Sequence, residues 1–281
     1  MTSRVALVGS PLRRPHSAVM HNAAFRHFDI DARYELRPLE SDQLEKFFTE
    51  VREPEWLGFQ VTAPHKQAAM ALVDEIEAEA AAIGAINSGL CTPEGRLVGF
   101  NTDAPGFARS VSSDLGMILT GARVVVVGAG GAARAVVHAC LNAGAARVHI
   151  GNRTPGHAAA LRMEIDDPLV TAGGMDDDLD AALRDADLAV NATTVGMTTE
   201  GVPFDVRRLP PAARVFDLVY IPAVSDLVDQ ARARGLMAVN GLGMLVGQAA
   251  IAFERWTGIA GSDSVMRHAV EQLAGDSTAQ A

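Results

Sequence analysis

Acid–base chemistry near neutral pH needs a side chain that can lose and regain a proton, and this chain is sparing with one such type. Of its 24 basic residues only two, Lys46 and Lys66, are lysines. Arginine stays protonated in proteins, whereas lysine can deprotonate once its surroundings lower its pKa. Lys46 lies in Leu44-Glu45-Lys46-Phe47-Phe48, on the wet side of a short helix, and needs no special role. Lys66 closes Val61-Thr62-Ala63-Pro64-His65-Lys66, just after an apolar run, and its retention points to proton transfer. Chance survival of one lysine is the competing reading.

A second group of residues suits an anion. Gly128-Ala129-Gly130-Gly131-Ala132-Ala133 follows four valines, Val124 to Val127, and leads into an Ala-rich helix. In that strand–helix context Gly128-x-Gly130-x-x-Ala133 fits the dinucleotide fingerprint. The first glycine makes the turn and the second lets the backbone approach a pyrophosphate. The small third residue lets helix and strand pack, and the helix N-terminus faces the anion. At the end of the next strand an NAD site places a carboxylate for the ribose 2′-OH. Here the chain reads Gly151-Asn152-Arg153-Thr154, with no acid. Arg153 can pair with a 2′-phosphate, and Asn152 and Thr154 can donate to it, which favours NADP over NAD. Thr154-Pro155 also reads as an ordinary helix start, and both readings are compatible.

The elements that must position these residues alternate short apolar runs with amphipathic stretches, the pattern of an α/β protein. Strands are expected at Arg4–Gly9, Ala32–Pro38 and Leu57–Val61, with helices at Ser17–Phe28 and Ser41–Val51 and a new helix opening at Pro64. Ser88–Cys91 and Arg96–Phe100 form a hairpin. A second rhythm starts near Asn101, with strands Arg123–Val127, Arg147–Gly151, Leu188–Val190, Val215–Leu218 and Ala238–Asn240. Continuous valines mark a strand buried on both faces of a parallel sheet. From Gly241 the chain is helical to about Leu273, and Gly275–Ala281 reads as a frayed tail.

Composition excludes several classes. A net charge of -10 over 281 residues argues against a nucleic-acid partner, though it permits a local basic pocket for a small anion. No apolar run is long enough to span a membrane, and Gly9 and Pro11 interrupt any signal-peptide core. Cys91 and Cys140 lack redox or metal spacing and are read as reduced thiols of a cytoplasmic protein. Eight histidines without a His-x-x-x-His pair leave no metal site evident.

Further segments fall into co-linear order along nearly the whole chain. They are Gly9-Ser10-Pro11 with Ser17 and His21-Asn22, the Lys66 segment, Gly84-Ala85-Ile86-Asn87-Ser88 and Asn101-Thr102-Asp103-Ala104-Pro105-Gly106-Phe107. Asn191-Ala192-Thr193-Thr194-Val195-Gly196-Met197, Asp217-Leu218-Val219-Tyr220-Ile221-Pro222 and Gly241-Leu242-Gly243-Met244-Leu245 with Gln248 complete the set. Together they resemble the shikimate dehydrogenase family. The resemblance implies reversible oxidation of shikimate to 3-dehydroshikimate, with hydride passing to NADP and Lys66 and Asp103 as a catalytic dyad. Which of the two accepts the proton stays open.

It also implies that Thr62, Asn87 and Gln248 hydrogen-bond the ring hydroxyls, with Ser17 and Tyr220 at the substrate carboxylate. Gly128, Gly130, Gly131, Ala132, Ala133, Asn152, Arg153, Thr154, Asn191, Thr193, Gly241 and Met244 would line the cofactor. Thr193 also suits a plain turn, and Met244 a packed core.

The implied architecture is α/β with two domains. Residues 1–101 with 242–281 form the substrate domain and residues 102–241 the doubly wound, Rossmann-type NADP domain, with C-terminal helices returning to the first. The active site would lie in the cleft between them, able to close against water, in a monomer or homodimer.

Two departures concern the substrate. Pro15 replaces the first serine of a Ser-x-Ser pair that holds the carboxylate, leaving Ser17, and Gln60 stands where the family has Asn. A lost hydrogen bond to a charged group costs roughly 1.5–3 kcal/mol, unless Arg13, Arg14 or His16 compensates. The alternatives are therefore a paralogue acting on quinate, an aminoshikimate or a related hydroxylated cyclohexane carboxylate, or a catalytically silent NADP-binding sensor.

Overall fold

The computed structural model describes residues 2–12 and 15–278. The chain divides into two compact units, Met1–Thr102 with Val246–Ala281 and Asp103–Leu245.

The first unit opens with β1 (Ser3–Gly9), α1 (His16–His27), β2 (Ala32–Pro38), α2 (Leu44–Glu50) and β3 (Trp56–Val61). Then come β4 (Glu75–Ile76), α3 (Ala78–Ile83), β5 (Ser88–Cys91) and β6 (Leu97–Phe100). Its six-stranded sheet runs β2-β1-β3-β5-β6-β4. β1 pairs in parallel with β2 and β3, and the β5–β6 hairpin attaches to β3 antiparallel. Alternation along a strand sends successive side chains to opposite faces. Phe59 therefore meets Phe48 of α2 on one face, and Gln60 turns to the other. Gln60 lies level with Leu7 of β1 and Ser88 of β5.

The second unit runs α4 (Asp103–Leu115), β7 (Arg123–Val127), α5 (Gly131–Asn142), β8 (Arg147–Gly151), α6 (Pro155–Ile165) and β9 (Val170–Gly173). It continues with α7 (Asp177–Arg184), β10 (Leu188–Asn191), β11 (Arg214–Asp217), α8 (Asp226–Ala233) and β12 (Met237–Val239). All pairings in its sheet are parallel, in the order β12-β11-β10-β7-β8-β9. From β7 the chain winds outward to β9, then returns to the other side of β7 and winds out to β12. The carboxyl ends of β7 and β10 thus flank the switch point, where open α/β sheets bind ligands. Val124 to Val127 are all buried, as a central parallel strand requires.

α9 (Leu242–Thr257) carries the chain back, and α10 (Asp263–Thr278) follows. In the first unit α10 packs along α1, the Phe253 ring of α9 lies tilted against Phe25, and the Trp256 indole donates to Gly89 O at 3.0 Å.

Two expectations need revision, and one strand of the parallel sheet was not expected. No helix opens at Pro64: the Ala63–Pro64 peptide is cis, and His65 N–H closes a turn on Thr62 O. Only a short 3₁₀ turn, Ala68–Leu72, follows. β9 has no counterpart in the sequence reading, because Val-Thr-Ala-Gly is too short and too mixed to stand out. The C-terminal helix is two helices, broken where Gly258 and Gly261 take φ of 72° and 84°. α10 reaches Thr278, past the start of the expected frayed tail, and residues 279–281 lie outside those described.

Candidate active site

In the first unit Lys66 sits half-buried on the turn after β3. That turn is pinned on several sides by hydrogen bonds. Thr62 N–H donates to Val8 O at 2.9 Å and Ser10 N–H to Ala63 O at 3.1 Å. The buried His65 ring contacts Leu39 O through Nε2 at 2.7 Å, and Ile86 N–H donates to Lys66 O at 3.1 Å. Gly9 has no room for a side chain because the Thr62 methyl group occupies that space. The Lys66 backbone is thereby held against the strand ends that also carry Asn87.

Asn87 and Gln248 converge on Thr102. Thr102 N–H donates to Asn87 Oδ1 at 2.8 Å, and Asn87 Nδ2 donates to Thr102 Oγ1 at 2.9 Å. Gln248, buried on α9, accepts at Oε1 from Thr102 Oγ1 at 3.3 Å and from Gln60 Nε2 at 3.0 Å. Gln60 Nε2 also donates to Ser88 Oγ at 3.2 Å, and Tyr34 Oη donates to Gln60 Oε1 at 2.5 Å. Buried polar groups need such partners, and a satisfied network is rigid. An asparagine at position 60, one methylene shorter, would not span these partners. Tyr34 had no role in the sequence reading, and its one local signal is rarity, since the chain has two tyrosines, Tyr34 and Tyr220.

His21 of α1 stacks on Tyr34 with ring centroids 4.4 Å apart. Burial pushes its pKa down to about 3. Burial likewise pushes the Tyr34 hydroxyl up, against an opposing hydrogen bond from Ser17. Ser17 lies in the first turn of α1, whose N-cap is Pro15. Proline costs the helix little here, because the first N–H groups of a helix have no intrahelical partner. Arg13 and Arg14, the suggested compensating residues, lie outside the described residues.

In the second unit Asp103 is buried at the start of α4, next in the chain after Thr102. The glycine turn follows β7. Gly128 has φ of 123°, and a Cβ there would stand 2.7 Å from Ala192 O. Its N–H donates to Gly151 O at 2.8 Å. Gly130 differs. It is the extended N-cap of α5, it is exposed, and beyond its immediate chain neighbours nothing lies within 4 Å of where its Cβ would be. The fold therefore does not require glycine at 130, and the space suits a group approaching the backbone. Gly131 and Ala132 form the first turn of α5, half-buried, and Ala133 is fully buried against the sheet.

After β8, Asn152 Nδ2 donates to Thr154 O at 2.9 Å. Thr154 caps α6 through its backbone alone. Arg153 is exposed, with no carboxylate in ion-pair range among the described residues.

Asn191 is engaged within the protein. Its Oδ1 accepts from Thr193 N–H at 3.0 Å and Thr193 Oγ1 at 2.7 Å, while Nδ2 donates to Val195 O at 3.1 Å and Asp217 Oδ1 at 2.8 Å. It shapes the loop after β10 at the switch point. Asp217, also without a role in the sequence reading, accepts from Val219 N–H at 3.0 Å and Ser225 Oγ at 2.5 Å. Burial pushes its carboxyl pKa up. This tie holds both ends of the loop that carries the half-buried Tyr220. Gly241 packs where a side chain would strike Leu218 O, and Met244 is buried. Cys91 and Cys140 are free and buried, and burial pushes the Cys140 thiol up to about 12. Among the described residues there is no cluster of metal-binding side chains and no helix long and apolar enough to cross a membrane.

A doubly wound parallel sheet with a glycine turn at its switch point, joined to a second α/β unit with a buried polar cluster, defines a two-domain Rossmann-type oxidoreductase. Residues 7–88 match the shikimate dehydrogenase substrate binding domain, residues 110–199 shikimate / quinate 5-dehydrogenase, and residues 241–271 the shikimate 5'-dehydrogenase C-terminal domain. The chain belongs to the shikimate dehydrogenase family. It is 37% identical to the shikimate dehydrogenase (NADP(+)) of Geobacillus kaustophilus, over 90% of this chain and 91% of that one. Its structure is similar to that of shikimate 5-dehydrogenase from Thermus thermophilus in complex with NADP(H) and shikimate. The TM-score is 0.87 at 36% identity, covering 96% of this chain and 99% of the other. It is also similar to quinate dehydrogenase from Corynebacterium glutamicum in complex with NAD, with a TM-score of 0.89 at 28% identity, over 96% and 99% of the two chains.

Proposed function

We propose that the chain oxidises shikimate reversibly to 3-dehydroshikimate, with NADP as the hydride acceptor. The observation that carries the reading is the convergence of Asn87 and Gln248 on Thr102. This builds a rigid set of amide and hydroxyl groups, suited to a polyhydroxylated ring, in the unit that holds Lys66 and immediately before Asp103.

The residues of the second unit fit the cofactor. The open space at Gly130 and the N-terminus of α5 would receive the pyrophosphate. Arg153, with Asn152 and Thr154, would hold the 2′-phosphate. The loop shaped by Asn191 and Thr193, with Gly241 and Met244, would border the nicotinamide. Bound NADP supplies the hydride acceptor.

Hydride loss from an alcohol requires removal of the hydroxyl proton, and the reverse reaction requires its return. Lys66 and Asp103 are the pair assigned to that proton. Thr62, Asn87 and Gln248 orient the ring hydroxyls, and Ser17 and Tyr220 hold the carboxylate.

A second reading has a specific observation behind it: Pro15 removes one hydroxyl from the carboxylate site, and a similar fold serves a quinate dehydrogenase. Steady-state turnover of shikimate, quinate and an aminoshikimate with NADP and NAD separates the two. The highest kcat/KM for shikimate with NADP is expected. A higher value for quinate makes the chain a quinate enzyme, and tight NADP binding without turnover of any acid makes it a sensor.

A further inference from the structure

Donor and acceptor geometry orients the buried amides of the first unit. At one end, Thr102 N–H can only donate, so the Asn87 atom 2.8 Å away is its oxygen. Asn87 Nδ2 then faces Thr102 Oγ1 at 2.9 Å, and the Thr102 hydroxyl has two acceptors in reach, Asn87 Oδ1 and Gln248 Oε1, each 3.3 Å away. At the other end, Tyr34 Oη and Gln60 are 2.5 Å apart. That separation fits O–H···O and is short for N–H···O, so Gln60 turns its oxygen to Tyr34 and its NH2 to Gln248 Oε1. The Gln60 end therefore orients Gln248: its oxygen accepts from Gln60 Nε2 at 3.0 Å and lies within reach of the Thr102 hydroxyl at 3.3 Å, and its NH2 is the other polar end of the amide.

We propose that Tyr34 and Gln60 are positioning residues for the substrate: they fix the Gln248 carboxamide so that it meets a substrate oxygen as a hydrogen-bond donor. The inference rests on Gln248 being a substrate ligand in the function proposed above. It gives Gln60 a task in place of the family's asparagine. It also selects for a substrate with an acceptor, a hydroxyl or carbonyl oxygen, at that position. Tyr34 must stay protonated to donate, which its burial ensures.

A double-mutant cycle tests it, with the acid that the wild-type chain turns over best. Tyr34→Phe keeps the ring against His21 and removes the donor to Gln60. It is expected to raise KM for the acid about tenfold, with kcat and KM for NADP within about twofold. Gln248→Ala raises KM as well, and in that background Tyr34→Phe is expected to add nothing, because there is no amide left to orient. An unchanged KM in Tyr34→Phe alone overturns the relay, and so does an equal rise in both backgrounds, which marks a general structural effect. A wild-type chain that turns over none of the acids overturns the proposed function and the relay together.

Discussion

Arg153 and His21 show how differently two charged or titratable residues serve one chain. Arg153 is exposed at the end of β8, with no protein carboxylate in range among the described residues. Replacing it with Asp puts a negative charge where a 2′-phosphate is expected. The ratio of kcat/KM for NADP to that for NAD should fall by roughly ten- to a hundredfold, and an unchanged ratio would move the 2′-phosphate site elsewhere. His21 acts on stability. Its pKa is about 3 in the fold against an ordinary 6.5, so above 6.5 folded and unfolded chains are both neutral and the full stability is present. As the pH falls from 6.5 toward 3, the unfolded chain takes up a proton that the fold refuses. Stability then declines by up to about 1.4 kcal/mol per pH unit. His21→Phe, which keeps a ring beside Tyr34, should flatten the fall in melting temperature over that window. An equally steep fall would assign the acid sensitivity to other groups.

At the scale of elements, the turn between β7 and α5 separates glycines required by the fold from one left open by it. Gly128→Ala meets Ala192 O at a φ of 123° and should cost on the order of 2–4 kcal/mol of stability. Gly130→Ala meets nothing and should leave the melting temperature unchanged while weakening NADP binding, measurable by titration of cofactor fluorescence. Equal NADP affinity in Gly130→Ala would remove the pyrophosphate from this turn. This element was legible in the sequence because burial on both faces leaves a continuous run of valines, and the turn needs glycines next to it. β9 was not legible, because Val170–Gly173 draws its place from its neighbour β8 rather than from its own four residues. Pro64 misled because proline suits a helix start as well as the cis turn found here. The Tyr34–Gln60–Gln248 relay was invisible for a different reason: Gln60 and Gln248 are 188 positions apart, and only the sheet register and the return of α9 bring them together.

For the whole molecule, the proposed chemistry draws on residues of both units. The first places Lys66 on a pinned turn beside a rigid cluster of amides. The second offers a glycine turn at the switch point of a parallel sheet and opens with a buried Asp103. Lysine scarcity pointed to Lys66 from composition alone, whereas Asp103 drew its role from the family resemblance. The central claim is that Lys66 serves proton transfer and not the architecture. The most direct test is kcat for shikimate oxidation by Lys66→Met, set beside its melting temperature and its affinity for NADP. The expected result is a kcat lowered by about 10² to 10⁴, with folding and NADP affinity intact. Turnover within a few fold of the wild-type chain would contradict the account.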